Sequence, residues 1–305
     1  MYDALALALQ RAQTDGISLG ELALRTEIAD GRRTRAEVEA ALLRALQVMR
    51  DAVARGSKGD LRSVSGLVGG DAAKVLRAHD ATVSGQPTGG PLAGTLFSKA
   101  LAGALAVQEV NAAMGVIVAA PTAGGAGVLP GVMLAVAERS GCDDATLVRA
   151  LAAAGLVGSV IAQRASLSGA EAGCQAETGA GAAMAAAAAV EILGGTPRQA
   201  VFALSLALQG TLGLVCDPLG GLVEVPCVYR NATGAAIALA GVEMAMAGVE
   251  FIIPADEVID TMGEIGRSMD ARYRETAGGG LAASPTGRRI TRQRLVQLKS
   301  RDPKE

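Results

Sequence analysis

Apolar positions recur along most of the chain at the spacing of an α-helix, and the alternation typical of strands is almost absent. One such apolar face consists of Val38, Leu42, Leu46, Met49 and Val53. Successive members of this set are three or four residues apart, which places them on one side of a helix. The sequence therefore predicts an all-α fold, a compact multi-helix bundle. Its richness in Ala and Gly predicts that the helices approach one another closely.

Capping signals indicate where the predicted helices begin. The S/T-x-x-E pattern of a capping box occurs in the pairs Ser18 and Glu21, Thr34 and Glu37, and Ser168 and Glu171. Thr196 before Pro197, Asp143 or Asp144, and Asn231 are the other predicted caps. Helices are accordingly predicted at 97–114, from Asp143 or Asp144 to about position 160, at 201–214 and at 256–269. The segment 274–289 is predicted to be irregular, and 299–305 to be frayed.

Glycine and polar residues accumulate between positions 56 and 91, which predicts a hinge or an active-site loop rather than a core element. This segment contains the single histidine, His79. A histidine in so polar a segment is expected to be a solvated surface residue, although a proton carrier is the alternative. Asp71 and Lys74 lie in the same segment, within "GGDAAK".

Charge and aromatic content exclude some partners. The 28 basic and 30 acidic residues give a net charge of -2, and the basic residues are scattered, so no nucleic-acid partner is expected. The longest uncharged stretch, 110–137, is interrupted by Pro121 and Pro130, so no membrane span is expected. The first residues lack the basic region of a signal peptide. The chain is therefore expected to be cytoplasmic, with a small-residue-rich membrane bundle as the less favoured alternative.

The four cysteines are not expected to form disulfides in a reducing compartment. Cys174, Cys216 and Cys227 each lie beside a chain break, where free backbone amides can lower the pKa of a thiol. Their spacings of 42 and 11 residues match no compact zinc pattern, and buried inert thiols are the alternative. Cys142 precedes two aspartates, which oppose formation of its thiolate.

Several long motifs occur in order along nearly the whole chain. They are "NAAMGVIVAAPTAGGAGVLPG", "SGAEAGCQAETG", "GLVCDPLGGLVEVPCVYRNA", "FIIPADEVIDTMGEIGRSM" and "RETAGGGLAASPTGR". Together they resemble the alpha chain of bacterial iron–sulfur L-serine dehydratases. The resemblance implies that Cys174, Cys216 and Cys227 hold a [4Fe-4S] cluster whose fourth iron lacks a protein thiolate, and that Cys142 is an ordinary thiol.

The resemblance also implies an activity and a partner. The open iron would bind the hydroxyl of L-serine as a Lewis acid, and a general base would remove the α-proton. The resulting aminoacrylate would hydrolyse to pyruvate and ammonia. This family has a helical cluster-binding part and a smaller α/β part, and this chain matches only the first. A separate beta chain is therefore expected, and a higher oligomer is left open.

The helix pattern predicts a helical N-terminal unit at 1–60, a helical domain at 61–290, which the resemblance implies is the cluster-binding catalytic domain, and a tail at 291–305. The candidates for substrate binding are Asp71, Thr122, Gly124, Arg230 and Asn231. The candidates for groups around the cluster are Glu171, Glu177 and Asp217. Each has a plain structural alternative, such as a helix cap or a helix break. Arg274 and Glu275 either reach the site from the tail or form a surface pair, and the sequence does not identify the general base.

Two other enzyme classes are alternatives to this one. A cysteine desulfidase has a similar helical domain and would bind sulfur rather than oxygen at the open iron. A pyridoxal phosphate enzyme would use Lys99 with the glycines at 278–280, but the near absence of strands disfavours its α/β fold.

Overall fold

The computed structural model describes residues 2–29, 31–83 and 93–299. Within these ranges the chain is all-α, as predicted, and its one β-type pairing is an isolated bridge between Cys216 and Arg274. The helices of the described residues are α1 (Leu5–Asp15), α2 (Leu19–Ile28), α3 (Arg35–Gly56), α4 (Asp71–Val83), α5 (Gly94–Ala112), α6 (Val128–Ser140), α7 (Asp144–Arg164), α8 (Gly169–Ala172), α9 (Ala180–Ile192), α10 (Pro197–Gln209), α11 (Cys227–Met246), α12 (Ala255–Ser268) and α13 (Pro285–Lys299).

Helix α9 lies at the centre of the bundle. Every residue of α9 except Glu191 is buried, and most of them are alanines. Helices α6, α7, α10 and α11 surround α9. A helix that is apolar on all sides must be covered on all sides, and the small side chains of α9 allow its neighbours to approach closely.

Glycine makes the contact between α5 and α6 possible. A Cβ atom built at Gly131 of α6 would lie 2.6 Å from the backbone nitrogen of Ala104 and 2.7 Å from the carbonyl oxygen of Ala100, both in α5. Gly103 of α5 faces the same point, because its own Cβ would lie 3.0 Å from Gly131 Cα. The two backbones are therefore too close for a larger side chain.

Four of the predicted helix caps are present. The side chains of Ser18, Thr34, Asp143 and Thr196 each accept a hydrogen bond from a backbone N–H three residues later. The boxes at Thr34 and Thr196 are complete, since a Glu or Gln side chain also returns to the cap backbone. Local sequence alone determines these helix starts.

Two predicted caps are wrong. Ser168 precedes α8 but makes no capping bond, because Glu171 instead accepts a hydrogen bond of 2.5 Å from the Ser166 hydroxyl. Asn231 lies inside α11, which already begins at Cys227. The Asn231 amide is instead used for contacts between distant parts of the chain, which a local pattern does not reveal.

The helix bounds differ modestly from the predicted ones. The predicted helices at 97–114, 201–214 and 256–269 correspond to α5, α10 and α12. Helix α10 starts earlier, because the Thr196 cap acts directly before Pro197, and it ends at Gln209. The segment 274–289 is irregular up to residue 284, after which α13 begins. The expectation for 299–305 falls, beyond Lys299, outside the described residues.

The prediction of a hinge or loop between positions 56 and 91 is wrong for residues 71–83, which form α4. The N-terminus of α4 is capped by the buried carboxylate of Glu109 on α5. Glu109 accepts hydrogen bonds from the backbone N–H groups of Gly70, Asp71 and Ala72 at 2.9, 2.6 and 3.1 Å. The capping group is distant in sequence, so local composition did not predict this helix. The part of the loop at 84–92 lies outside the described residues.

His79 is buried rather than solvated, with 6% of its surface exposed. It lies on α4, where its two ring nitrogens are 3.1 Å from Asp80 Oδ1 and 3.0 Å from Thr95 Oγ1. The expectation of a surface histidine is therefore wrong. Its polar sequence neighbours concealed the fact that α4 packs against α5.

One helix in the described part of the chain, α7, has the length and mean hydropathy of a membrane span, and 67% of its most apolar window is buried within the fold. The uncharged stretch 110–137 does not form one long helix, because α5 ends at Ala112 and α6 starts only at Val128.

Candidate metal centre

Three of the four cysteines are buried in one region of the bundle. The exposed fractions of Cys174, Cys216 and Cys227 are 2%, 2% and 5%. They lie close enough for a negative charge on Cys174 to raise the pKa of both other thiols. Cys142 is half-buried near Arg50 at the start of α7, and its thiol is also free. The structure therefore brings together the three cysteines that the sequence analysis selected.

A glycine turn positions Cys174. Gly173 has a φ of 74°, and a Cβ atom there would lie 2.7 Å from the carbonyl oxygen of Leu214. The chain then enters one π-helical turn, Gln175–Gly179, which leads into α9. The Cys174 sulfur lies 3.1 Å from the Thr178 hydroxyl within this turn. The break between α8 and the π-helical turn thus holds the thiol at a fixed point.

Cys216 is held by the C-terminal segment. Its N–H donates to the carbonyl of Tyr273 at 2.8 Å, and its carbonyl accepts from the N–H of Glu275 at 2.9 Å. Cys227 is the first residue of α11, so its backbone N–H has no partner within that helix. These two thiols therefore lie on different structural elements joined by the loop between them.

Two serines anchor that loop through Glu224, which is 3% exposed. The Glu224 carboxylate accepts hydrogen bonds from the Ser63 hydroxyl at 2.6 Å and from the backbone N–H of Ser65 at 3.0 Å. The Ser65 hydroxyl bonds to the same carboxylate. The segment before α4 is thereby fixed to the loop that carries Cys216 and Cys227.

Burial raises the pKa of all three thiols. Desolvation is the main cause for each of them, and it raises the pKa of Cys227 to about 12. The positive charge of Arg230 acts in the opposite direction on Cys174 and Cys227. Without an added positive charge the thiols remain protonated at neutral pH. A bound metal centre would supply that charge and deprotonate them.

The three thiols do not form the closely spaced ligand set of a single metal ion. Within the described ranges, no three His, Cys, Asp or Glu side chains converge as ligands of a single metal ion. In an iron–sulfur cube each cysteine binds a different iron, so the sulfurs surround the centre and need not meet at one point. Three buried, mutually interacting thiols fit this requirement.

Glu177 lies beside the thiols in a space that glycines keep open. Its carboxylate accepts a 2.6 Å hydrogen bond from the Thr122 hydroxyl. A Cβ atom at Gly124 would lie 2.7 Å from Glu177 Oε1, and one at Gly169 would lie 2.7 Å from Oε2 and 3.2 Å from the Cys216 sulfur. Burial raises the pKa of Glu177, the bond from Thr122 lowers it, and the charge of Glu275 raises it.

Arg230 is engaged in an ion pair. Its Nη1 lies 2.7 Å from Asp217 Oδ1 and donates to the carbonyl of Val215 at 2.8 Å. The other Asp217 oxygen accepts from the N–H of Leu281 at 2.6 Å. Arg230 and Asp217 therefore connect α11, the Cys216 loop and the C-terminal segment.

Asn231 ties the glycine-rich loop at 122–127 to α11. Its amide donates to the carbonyls of Gly124 at 2.7 Å and Cys227 at 2.9 Å. Its side-chain oxygen accepts from the N–H of Gly127 at 2.9 Å. Asn231 is fully buried, and its side-chain amide is used in these contacts, which hold the loop against α11.

The remaining candidates lie further out. Asp71 starts α4 and accepts hydrogen bonds from the Tyr229 hydroxyl at 3.2 Å and from Lys74 at 2.6 Å. Glu171 is exposed and is bonded to Ser166. Lys99 pairs with Glu138 on α6.

The sequence analysis did not single out Glu109, which fixes α4, or Thr178, which contacts the Cys174 thiol. Glu109 is the one acidic residue in the largely apolar sequence of α5, and this isolation is the sequence signal that could have marked it. Thr178 has no sequence signal, because its role depends on the π-helical turn. A cavity of about 490 Å³ borders Thr178 and Arg230, so open space comes close to the thiols.

Together, the fold and the site define a helical protein with a buried three-cysteine centre. Comparison with known sequences gives its family. Residues 14–282 match the family model of the serine dehydratase alpha chain, so the chain belongs to this family.

Two relatives are alpha chains of similar length. A probable L-serine dehydratase alpha chain of Bacillus subtilis is 46% identical over 277 residues, covering 91% of this chain and 90% of the relative. An L-serine dehydratase alpha chain of Peptoniphilus asaccharolyticus is 41% identical over 283 residues, covering 92% and 94%. An L-serine dehydratase of Mycobacterium tuberculosis is longer. It is 43% identical over 271 residues, covering 87% of this chain but 58% of the relative.

Proposed function

We propose that this chain is the cluster-binding alpha chain of an L-serine dehydratase, which converts L-serine to pyruvate and ammonia. The observation that carries the proposal is the group of three buried thiols at a glycine-lined site, in a chain that belongs to this family. The alpha-chain relatives from two bacteria, matched over nearly their full length, support the same activity.

Cys174, Cys216 and Cys227 would hold a [4Fe-4S] cluster. When bound, the cluster supplies an iron without a protein thiolate, which acts as a Lewis acid on the substrate hydroxyl. The protein excludes water from the thiols through burial, and the charge of Arg230 offsets part of the negative charge of the thiolates. Cys216 lies in the loop between α10 and α11, and its backbone bonds to residues 273–275 fix it there.

The glycine-rich loop at 122–127 forms one wall of the proposed substrate site. Gly124 allows the Glu177 carboxylate to lie directly against the loop, and the Thr122 hydroxyl orients that carboxylate. Asn231 holds the loop in place from α11. We assign Thr122 and Gly124 to substrate contact and Asn231 to support of the loop.

Arg230 is assigned a different role from the one that its sequence position suggests. Its Nη1 is paired with Asp217 and bonded to the carbonyl of Val215, which fixes the guanidinium beside the loop that carries Cys216. We assign it to charge compensation near the thiols, with Asp217 as its anchor. Asp71 accepts a hydrogen bond from Tyr229, which follows Cys227 by two residues on α11, and we assign this pair to the outer part of the site.

The complete enzyme would contain a second chain. This chain matches 58% of the length of the longer Mycobacterium tuberculosis relative, whereas it matches at least 90% of the two alpha chains. We propose that a beta chain supplies the remaining part and that L-serine binds to the assembled complex. A cluster on three free thiols requires reducing conditions, so we place the complex in the cytoplasm.

Activity measured with and without the partner tests this proposal. The chain should be purified anaerobically alone and together with the beta chain from the same genome, and pyruvate formation from L-serine should be measured. We expect activity from the pair and at most traces from the alpha chain alone. A pair that carries a full cluster but releases sulfide from L-cysteine faster than pyruvate from L-serine would overturn the proposal.

A further inference from the structure

Glu275 is held next to the cysteine centre by an unusual backbone conformation. Its φ of 62° is in the left-handed region, which residues other than glycine rarely adopt. Its N–H donates to the carbonyl of Cys216 at 2.9 Å, so the residue is fixed beside a proposed cluster ligand. The strain at this position is maintained by the pairing of the two segments.

The charge of Glu275 reaches the site although its carboxylate has no partner. Its negative charge raises the pKa of Glu177, the carboxyl group beside the thiols. In the described part of the chain, no group donates a hydrogen bond to its side chain and no cation pairs with it. Glu275 is half-buried, which leaves part of its side chain accessible.

The surroundings of Glu275 favour a cation as the missing partner. The thiols become anionic with a bound metal centre, the neighbouring Glu177 is a second carboxyl group, and Arg230 is already paired with Asp217. An unpaired, half-buried carboxylate attracts a cationic group more strongly than it would in water. The substrate of the proposed reaction carries one, since L-serine has an α-ammonium group next to the carbon that loses its proton.

We propose that the Glu275 carboxylate binds the α-ammonium group of the substrate and thereby selects amino acids over uncharged analogues. This inference rests on the proposed function. The ammonium group remains bound to the carbon skeleton until the elimination is complete, so the contact is present both before and during that step. Loss of the contact should therefore raise KM and leave kcat nearly unchanged.

Two ligands separate recognition of the ammonium group from a general structural effect. L-Serine is the substrate, and 3-hydroxypropanoate is the same molecule with hydrogen in place of the ammonium group. In the wild-type complex with the beta chain, we measure KM for L-serine and the inhibition constant of 3-hydroxypropanoate. In Glu275→Gln, KM should rise about ten-fold or more, because a hydrogen bond between charged groups is lost. The inhibition constant should stay within about two-fold, because this ligand makes no such contact.

A second variant protects the test against misfolding. Glu275→Gly removes the carboxylate and relieves the strained φ, so its thermal unfolding temperature should not fall. It should show the same rise in KM as Glu275→Gln. Glu264→Gln, on the exposed face of α12, is the matched control, and it should leave both constants unchanged. Iron content and the visible spectrum should be the same in all four proteins.

Three results would overturn the inference. One is an equal change in both constants, another is no change in either, and the third is a fall in kcat at constant KM, which would indicate a role in proton transfer. An inactive wild-type complex with a full cluster would instead overturn the proposed function itself. The wild-type measurement therefore distinguishes the two failures.

Discussion

At the scale of single residues, the three buried cysteines are the main support for the proposed function. Each is held by a different device: a glycine turn for Cys174, backbone pairing for Cys216 and a helix start for Cys227. Their raised pKa values mean that burial works against the thiolate form. Protonated, buried thiols are poor nucleophiles, so these cysteines are better suited to binding a metal centre than to attacking a substrate.

Replacement of single cysteines tests this assignment. Cys216→Ser should lose most of the visible absorption and at least about a hundred-fold of the activity, because one cluster ligand is removed. Cys142→Ser is the matched control, since this half-buried thiol lies near Arg50, and it should keep both properties. Equal losses in the two variants, by iron analysis and pyruvate assay, would contradict the ligand assignment.

At the scale of elements, glycine determines how closely helices pack. Gly131→Ala should destabilise the protein by about 2 kcal/mol, because the new methyl group would meet the backbone of α5. Gly155→Ala on α7 is the matched control. It has no neighbouring atom within 4 Å and should stabilise its helix by up to about 1 kcal/mol. Urea denaturation of both variants measures the difference, and a neutral Gly131→Ala would contradict the close contact.

An ion pair joins the starts of α2 and α3. Arg35 bonds both oxygens of Glu21, at 2.9 and 2.8 Å, and Arg25 adds a third bond. These contacts, led by the hydrogen bonds from Arg35, lower the pKa of Glu21 from 4.5 to about 2. A lowered pKa means that the stabilisation is fully present above pH 4.5 and is lost as the pH falls toward 2.

Glu21→Gln should therefore cost about 1 kcal/mol at neutral pH, because solvent screens a partly exposed pair. Its stability should converge with that of the wild type as the pH falls below 4.5. Glu250→Gln is the matched control, since Glu250 and Arg198 form an exposed pair that should contribute little. A difference between Glu21→Gln and wild type that is constant down to pH 2 in thermal unfolding would exclude the ion pair as its cause.

Sequence predicts the local features of this fold better than the features that depend on distant contacts. Features set by neighbouring residues, such as the caps at Thr34 and Thr196, were predictable. Features set by distant contacts were not, and Glu109 capping α4 is the clearest case. His79 was misjudged for the same reason. The buried cysteine group was predictable because the sequence resembles a family, whereas the thiols alone favoured inert core residues over metal ligands.

The candidate site shows where sequence reasoning ends. Arg230 and Asn231 were chosen for their chemistry beside Cys227, yet both are occupied by structural bonds. Their partners lie in the 122–127 loop and at Val215 and Asp217, which no local pattern connects to α11. The sequence permits Glu275 either at the site or on the surface, and the pairing of its backbone with Cys216 brings it beside the cysteines.

At the scale of the whole molecule, the helix bundle supports the three cysteines and the loops around them. The alanine-rich α9 is buried in the core directly behind the π-helical turn that follows Cys174. The loop at 122–127, the Cys216–Cys227 loop and the C-terminal segment are bonded to one another through Asn231, Asp217 and Cys216. A substitution that displaces any of these segments should therefore also displace the thiols.

The central claim is that the three buried thiols hold an iron–sulfur cube, and the most direct measurement is iron and sulfide content. The full chain should be purified and reconstituted without oxygen, and its visible spectrum recorded. The account predicts about four irons and four sulfides per chain, with broad thiolate-to-iron absorption that air bleaches. A colourless chain without iron after reconstitution would contradict it and would leave the cysteines as core residues.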